Sequence, residues 1–99
     1  MNKLITTALT AAALVAAPSA AFAQEYQAHD ANLLGFPAAV LVGPELHPDY
    51  ITWSGPKGTE DITAMCLPNG AYTWEARGPH TGELVDAAAR SWCGQVYPQ

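Results

Sequence analysis

Basic residues are scarce in this 99-residue chain, which has four lysines and arginines against nine aspartates and glutamates. Apart from Lys3 near the start, the basic residues are Lys57, Arg77 and Arg90. Nucleic acids and anionic membrane surfaces are bound through clustered lysine and arginine. The composition therefore argues against both as partners. The composition is typical of a small acidic domain. The negative charge of such a domain keeps it soluble or steers it toward a basic partner.

Cysteine is also scarce, because Cys66 and Cys93 are the two in the chain. They do not form a CxxC pair, which argues against a zinc site. In an exported chain, two cysteines far apart in sequence are better explained by a structural bridge than by a thiolate nucleophile. We therefore expect a disulfide within one molecule, worth about 3–4 kcal/mol in the chain-entropy model.

Residues 24–99 contain no sequence motif that is typical of a catalytic site. Ser54 and Ser91 do not stand in a G-x-S-x-G nucleophile elbow. The neighbouring carboxylates of Glu60 and Asp61 would point to opposite faces of a strand, so they do not form an acid–base pair. The sequence thus predicts a non-enzymatic protein without a cofactor. A small hydrolase or an inhibitor-like effector has no specific residue in its favour.

Residues 1–23 have the features of an export signal. Lys3 supplies the positive start, Leu4 to Ala17 is apolar, and Ala21-Phe22-Ala23 places small residues at the cleavage site. The apolar run is too short and too rich in alanine for a convincing membrane span, although an uncleaved anchor is the alternative. We predict cleavage between Ala23 and Gln24, and delivery to the periplasm or the cell exterior without a membrane anchor.

A β-hairpin between Asp61 and Arg77 is the clearest structural prediction. Pro68-Asn69-Gly70 suits a three-residue loop that ends in a left-handed glycine and a bulge. With Leu67 and Ala71 flanking this loop, the alternation of side chains defines two faces. The inner, apolar face would carry Ile62, Ala64, Cys66, Tyr72, Trp74 and Ala76.

An amphipathic helix is predicted from Gly82 to Trp92. Thr81 suits the N-cap position, and Gly94 suits a left-handed residue just past the end. One face of this helix would carry Val85, Ala88, Ala89 and Trp92. A bridge between the two cysteines would hold that face against the inner face of the hairpin.

The segments before the hairpin predict two more strands, a buried one at Ala38–Val42 and one at Tyr50–Trp53. Residues 57–60 are expected to be a flexible connection into the hairpin. Residues 24–36 are expected to be a loosely ordered segment, as a short helix or a tail. Residues 37–99 would then form a small α+β domain. Its antiparallel sheet of about four short strands would carry one C-terminal helix on one face.

The outer face of the hairpin is predicted to bind a partner. It is too apolar at one end for plain solvated surface and charged at the other, a mixture that is common where proteins dock. Tyr50 and Trp53 cannot share one face of a strand, so one of them would be exposed and would extend this surface. Packing against the N-terminal segment is the alternative. The candidate partner-binding residues are Met65, Leu67, Thr73, Glu75, Arg77 and Trp53.

Two functions of different classes follow. The first is an accessory domain that binds another periplasmic or secreted protein. The second is a periplasmic protein that binds a metal or a small ligand through its histidine loops. The candidate ligands of that second function are His29, His47, Asp49 and His80. They would have to converge from two loops and a tail, and no methionine-rich or CxxC pattern supports copper.

Overall fold

Five strands followed by one helix make up the part of the chain, residues 25–99, that this computed structural model describes. The export signal and its cleavage position lie outside the described residues. The elements are β1 (Gln27–Leu33), β2 (Phe36–Val42), β3 (Asp49–Gly55), β4 (Gly58–Cys66), β5 (Tyr72–Arg77) and α1 (Gly82–Val96). No helix in residues 25–99 is long and apolar enough to span a membrane.

The strands form an antiparallel meander in the order β1-β2-β3-β4-β5, and α1 packs on one face of it. Cys66 at the end of β4 is disulfide-bonded to Cys93 of α1, with the two Cα atoms 5.3 Å apart. These findings confirm the predicted antiparallel sheet, the C-terminal helix on one face and the bridge. The sheet has five strands rather than about four.

The additional strand is β1, in the segment that we expected to be loosely ordered. It joins β2 through a two-residue turn at Leu34 and Gly35, whose φ angles are 59° and 87°. Two positive φ angles give a turn whose twist matches that of the paired strands. The Asn32 side chain accepts a 2.9 Å hydrogen bond from the Gly35 N–H, and Leu33 is wholly buried. A leucine in the left-handed position is uncommon, so the sequence does not indicate this turn.

The β4–β5 hairpin has the predicted loop and register. The Leu67 carbonyl accepts from the Gly70 N–H at 3.0 Å, and the Leu67 N–H donates to the Ala71 carbonyl at 2.9 Å. Gly70 has a φ of 95°, as the bulge requires. Cys66 therefore pairs with Tyr72, as predicted.

The β3–β4 connection differs from the expectation of a flexible segment at residues 57–60. It is a two-residue turn at Pro56 and Lys57, closed by the pairing of Gly55 with Gly58. The Lys57 backbone N–H donates to the His80 ring nitrogen Nε2 at 2.9 Å. This contact holds the turn against the segment that leads into α1, so β4 begins directly after the turn.

Helix α1 begins as predicted and ends later. The Thr81 hydroxyl accepts from the Leu84 N–H at 3.3 Å, which confirms the N-cap. At the other end the helix continues through Gly94 to Val96, and the Tyr97 N–H bonds to the Cys93 carbonyl. Val96 and Tyr97 pack against the core. Their burial outweighs the cost of about 1 kcal/mol for a glycine inside a helix.

The core lies between the sheet and α1. The two alanines of the helix stripe, Ala88 and Ala89, are wholly buried and let the helix approach the strands closely. The inner-face residues of β4 are buried as the register predicted. Trp74 is half-buried against the core rather than inside it, because β5 is an edge strand. The buried hydrophobic residues of the strands are Leu33, Ala38, Val40, Ile51, Trp53, Ile62, Ala64 and Cys66.

Two expectations about the central strands need correction. Strand β2 is buried on one face only, and Leu41 on its other face is 49% exposed. Trp53, a candidate partner-binding residue, is 0% exposed. Its indole Nε1 donates to the Leu33 carbonyl at 3.0 Å, and its ring lies 4.9 Å from the His80 ring. Trp53 therefore belongs to the core, and Tyr50 is the exposed aromatic residue of this strand.

Candidate protein-binding surface

The face of the sheet opposite α1, hereafter the outer face, carries most of the predicted partner-binding residues. Met65 and Thr73 are directly opposite each other on β4 and β5, and Arg77 is opposite Asp61. Glu75 stands between Thr73 and Arg77 on the same face. Leu67 lies beyond the end of β4, half-buried in the turn. The structure thus brings four of the six candidates together, leaving Leu67 at their edge.

The apolar part of the outer face extends onto strands that the sequence did not indicate. Leu41 on β2 and Tyr50 on β3 are direct cross-strand partners and are 49% and 44% exposed. Tyr50 is opposite Thr63 of β4, two residues before Met65. The Tyr26 ring lies 5.8 Å from the Tyr50 ring. We name Tyr26, Leu41, Tyr50 and Met65 the outer patch.

Sequence reasoning missed Leu41 and Tyr26 for different reasons. The run from Ala38 to Val42 is apolar at every position, so its composition cannot separate a buried face from an exposed one. Tyr26 stands in the segment that was expected to be loose. The alternation of β3 could have found Leu41, because Tyr50 must face outward when Trp53 faces inward. Any residue opposite Tyr50 then shares the outer face.

Tyr26 is held in place by a close approach to the backbone. A Cβ atom at Gly43 would lie 2.8 Å from the Tyr26 ring and 2.9 Å from the Pro48 carbonyl, so only glycine fits there. The pKa of Tyr26 is raised, first by burial and then by the neighbouring Tyr50 and nearby carboxylates. Tyr26 therefore stays neutral through the physiological range, so that its ring adds apolar surface and no charge.

Acidic side chains surround the outer patch. Asp30, Asp61 and Glu75 are exposed on the outer face, where Arg77 is the basic residue. Within residues 25–99, none of these four side chains is in an ion pair. The surface thus combines an apolar cluster with unneutralised negative charge. Such a surface favours encounters with a basic protein.

The buried pair of Glu60 and His80 is the His–carboxylate contact among the described residues. One Glu60 oxygen accepts from the His80 backbone N–H at 2.9 Å and from its ring nitrogen Nδ1 at 2.8 Å. Because the Lys57 N–H donates to Nε2, the histidine is the neutral tautomer with its proton on Nδ1. Both ring nitrogens of His80 therefore have partners within the chain, Nε2 in the β3–β4 turn and Nδ1 on Glu60 of β4.

The other candidate metal ligands are apart from His80. Asp49 is buried, and its two oxygens accept from the Gly43 N–H and the Trp92 indole, each at 2.8 Å. His29 lies with its ring 5.8 Å from the Trp92 ring, and His47 is in an exposed turn. In the described part of the chain, no three His, Cys, Asp or Glu side chains are grouped to hold a metal ion.

A small cleft lies beside the disulfide. Its volume is about 90 Å³, and Pro44, His47 and Tyr97 are among its lining residues. Sites for drug-sized ligands usually measure about 300–1,000 Å³. This cleft therefore gives little support to a small-ligand function.

Comparisons with protein-family models, curated proteins and solved structures gave no match to this chain. These comparisons therefore suggest no function for the chain.

Proposed function

We propose that this chain is an exported, non-enzymatic accessory domain that binds another periplasmic or secreted protein through the outer face of its sheet. The observation that supports this most is the pairing of Leu41 with Tyr50. Two large apolar side chains are nearly half exposed beside each other, with Tyr26 and Met65 next to them. Exposed apolar clusters with polar rims are typical of protein-docking surfaces, and tyrosine is frequent at their centres.

The charge around the patch specifies the chemistry of the partner. Asp30, Asp61 and Glu75 make the rim acidic, whereas Arg77 is the one basic residue described there. The partner should therefore offer an apolar contact within a surface rich in lysine or arginine. Opposite charges on the two proteins would speed their encounter. This attraction would weaken with added salt.

The hydrogen bonds that the buried and half-buried carboxylates accept within the chain support a non-enzymatic role. The buried carboxylates of Asp49 and Glu60 accept hydrogen bonds from groups of the same chain. The half-buried Asp86 accepts from the Tyr72 hydroxyl at 3.0 Å and the Trp74 indole at 2.8 Å. Burial and this hydrogen bond raise the pKa of Tyr72. These hydrogen bonds give the three carboxylates a structural use within the fold, as expected for buried polar groups.

The outer face should tolerate charge without loss of the fold. We expect Leu41→Asp and Met65→Asp to lower the unfolding free energy by less than about 1 kcal/mol, as surface substitutions do. Each should weaken the affinity for the partner about tenfold or more, because it places a charge in the contact. Ser54→Asp is the matched control, since Ser54 is exposed on the outer face away from the patch. Thermal melts and titration calorimetry give both quantities.

Two results would contradict this assignment. If Leu41→Asp and Met65→Asp unfold the domain, the two faces are exchanged. If all three aspartate variants bind the partner equally well, the patch is not the docking site.

Export is the second part of the proposal. The disulfide fits an extracellular protein, since such bonds persist in oxidising compartments. We expect exported protein to begin at Gln24, as N-terminal sequencing would show. Ala23→Trp should slow processing, because the cleavage site requires small residues. Exported material that begins at Met1 would contradict the assigned signal and its cleavage site.

A further inference from the structure

The meander is open at β1 and β5, so both edge strands present backbone groups to solvent. Hydrogen bonds to the neighbouring strand use alternate residues of an antiparallel pair. The bond from the Leu67 N–H to the Ala71 carbonyl sets this alternation for β5. It directs the backbone groups of Tyr72, Trp74 and Ala76 away from β4, toward solvent.

The β1 edge is protected against pairing with a second copy. Its outward-facing backbone groups belong to Ala28, Asp30 and Asn32, because the closing pair of the β1–β2 turn is hydrogen-bonded. The Gln95 side chain of α1 already donates to the Asn32 carbonyl at 3.1 Å. Full overlap of two β1 strands would also place Asp30 opposite Asp30 of the second copy. Like charges directly opposite each other are destabilising.

The β5 edge has neither protection. Residues 72–77 contain no proline and pair with β4 without a bulge, and no side chain among residues 25–99 bonds to the outward backbone groups of this strand. Antiparallel pairing with a second copy about an axis at Trp74 overlaps residues 72–76. Thr73 then faces Glu75 of the second copy, and Tyr72 faces Ala76. Every outward N–H and C=O of the overlapped strands finds a partner.

Charge selects this register from its neighbour. A shift that centres the pairing on Glu75 would place two carboxylates directly opposite each other. The register centred on Trp74 avoids this repulsion, because it places Thr73 opposite Glu75 of the second copy. The edge of β5 is therefore complementary to itself in that register.

We propose that β5 is a homodimerisation edge at which a second copy of this chain adds its own β5 strand. The axis runs perpendicular to the sheet, so the two sheets become continuous and both copies of α1 lie on the same side. Both outer patches then lie on the opposite side. A dimer of this kind would present the docking surface twice and gain affinity through multivalency. The proposal stands independently of what the outer patch binds.

Sedimentation of the mature protein over a wide concentration range tests the dimer. The wild type is expected to pass from monomer to dimer as the concentration rises. Ala76→Pro should raise the dimer dissociation constant about tenfold or more, because it removes an outward N–H at both ends of the paired region. Ala28→Pro is the matched control on the other edge, and it should leave the dimer intact. Thermal melts verify that both variants fold.

A second variant keeps the test decisive if proline disturbs the strand. Thr73 is exposed, and Thr73→Glu sets a carboxylate opposite Glu75 of the second copy. This variant should weaken the dimer in low salt and recover with added salt. A wild-type protein that stays monomeric at every concentration would overturn the proposal, leaving this edge to an extended segment of a different protein. Loss of the dimer in Ala28→Pro alone would also overturn it.

Discussion

Trp53→Ala is expected to lower the unfolding free energy by about 3–5 kcal/mol, as for other buried aromatic residues. The indole is 0% exposed and lies between the His80 ring, 4.9 Å away, and the Phe36 ring, 6.2 Å away. Its Nε1 also satisfies the Leu33 carbonyl. Removal leaves a cavity and deletes the buried hydrogen bond to that carbonyl. Because small domains are stable by about 5–15 kcal/mol in total, this loss would bring the protein close to unfolding.

Urea denaturation of the mature protein measures this effect. Thr52→Ala is the matched control, because Thr52 precedes Trp53 in β3 and is exposed on the outer face. We expect it to cost less than about 1 kcal/mol. Trp53→Phe separates the contribution of ring packing from that of the indole hydrogen bond, since it keeps an aromatic ring and loses the hydrogen bond. Equal losses in Trp53→Ala and Thr52→Ala would contradict the assignment of Trp53 to the core.

Loss of the disulfide is expected to lower stability by about 2–4 kcal/mol. The bond joins β4 to the C-terminal half of α1 across 27 positions of sequence, and both cysteines are buried. Without it, the closest polar tie between this half of the helix and the sheet is the bond from the Trp92 indole to Asp49. The helix end would then open more readily than the sheet.

Three forms separate the cross-link from packing: the wild type, Cys93→Ser, and the double variant Cys66→Ala with Cys93→Ala. The double variant keeps an apolar contact and should lose most of the stability that the bridge supplies. Cys93→Ser should lose somewhat more, because it leaves a buried hydroxyl and a free thiol. Alkylation of unreduced native protein should find no reactive thiol. Two reactive thiols, or a disulfide-linked dimer, would contradict the intramolecular bridge.

Local turn and cap chemistry explains what could be predicted from the sequence. Pro68-Asn69-Gly70 determines a loop within a few residues, and the loop then determines the register of β4 on β5. The hydroxyl of Thr81 marks the start of α1 in the same local way. The bridge follows from cysteine count and an oxidising destination.

Features that depend on distant contacts could not be predicted. Leu34 adopts a left-handed turn because the pairing of β1 with β2 and the burial of Leu33 hold it there. Gly94 continues the helix because residues beyond it reach the core. The choice between Tyr50 and Trp53 as the exposed aromatic residue required the sheet order, since both alternatives satisfy the strand period.

The candidate site, like the fold, could be predicted from the sequence only in part. The face that Met65, Thr73, Glu75 and Arg77 share follows from the period of two along a strand. The neighbouring strands that complete the patch are known only from the order of the meander. Leu41 joins Tyr50 because β2 pairs with β3, and no local pattern states that pairing.

Site-specific photo-cross-linking in the exporting cell tests the central claim most directly. A photoreactive amino acid at position 50 reports contacts of the outer patch, and the same group at position 83 reports the exposed side of α1. We predict one discrete adduct with a basic exported protein from position 50 and none from position 83. The adduct should disappear with Leu41→Asp and persist with Ser54→Asp. Equal adducts from both positions, or none from position 50, would contradict a docking role for the outer face.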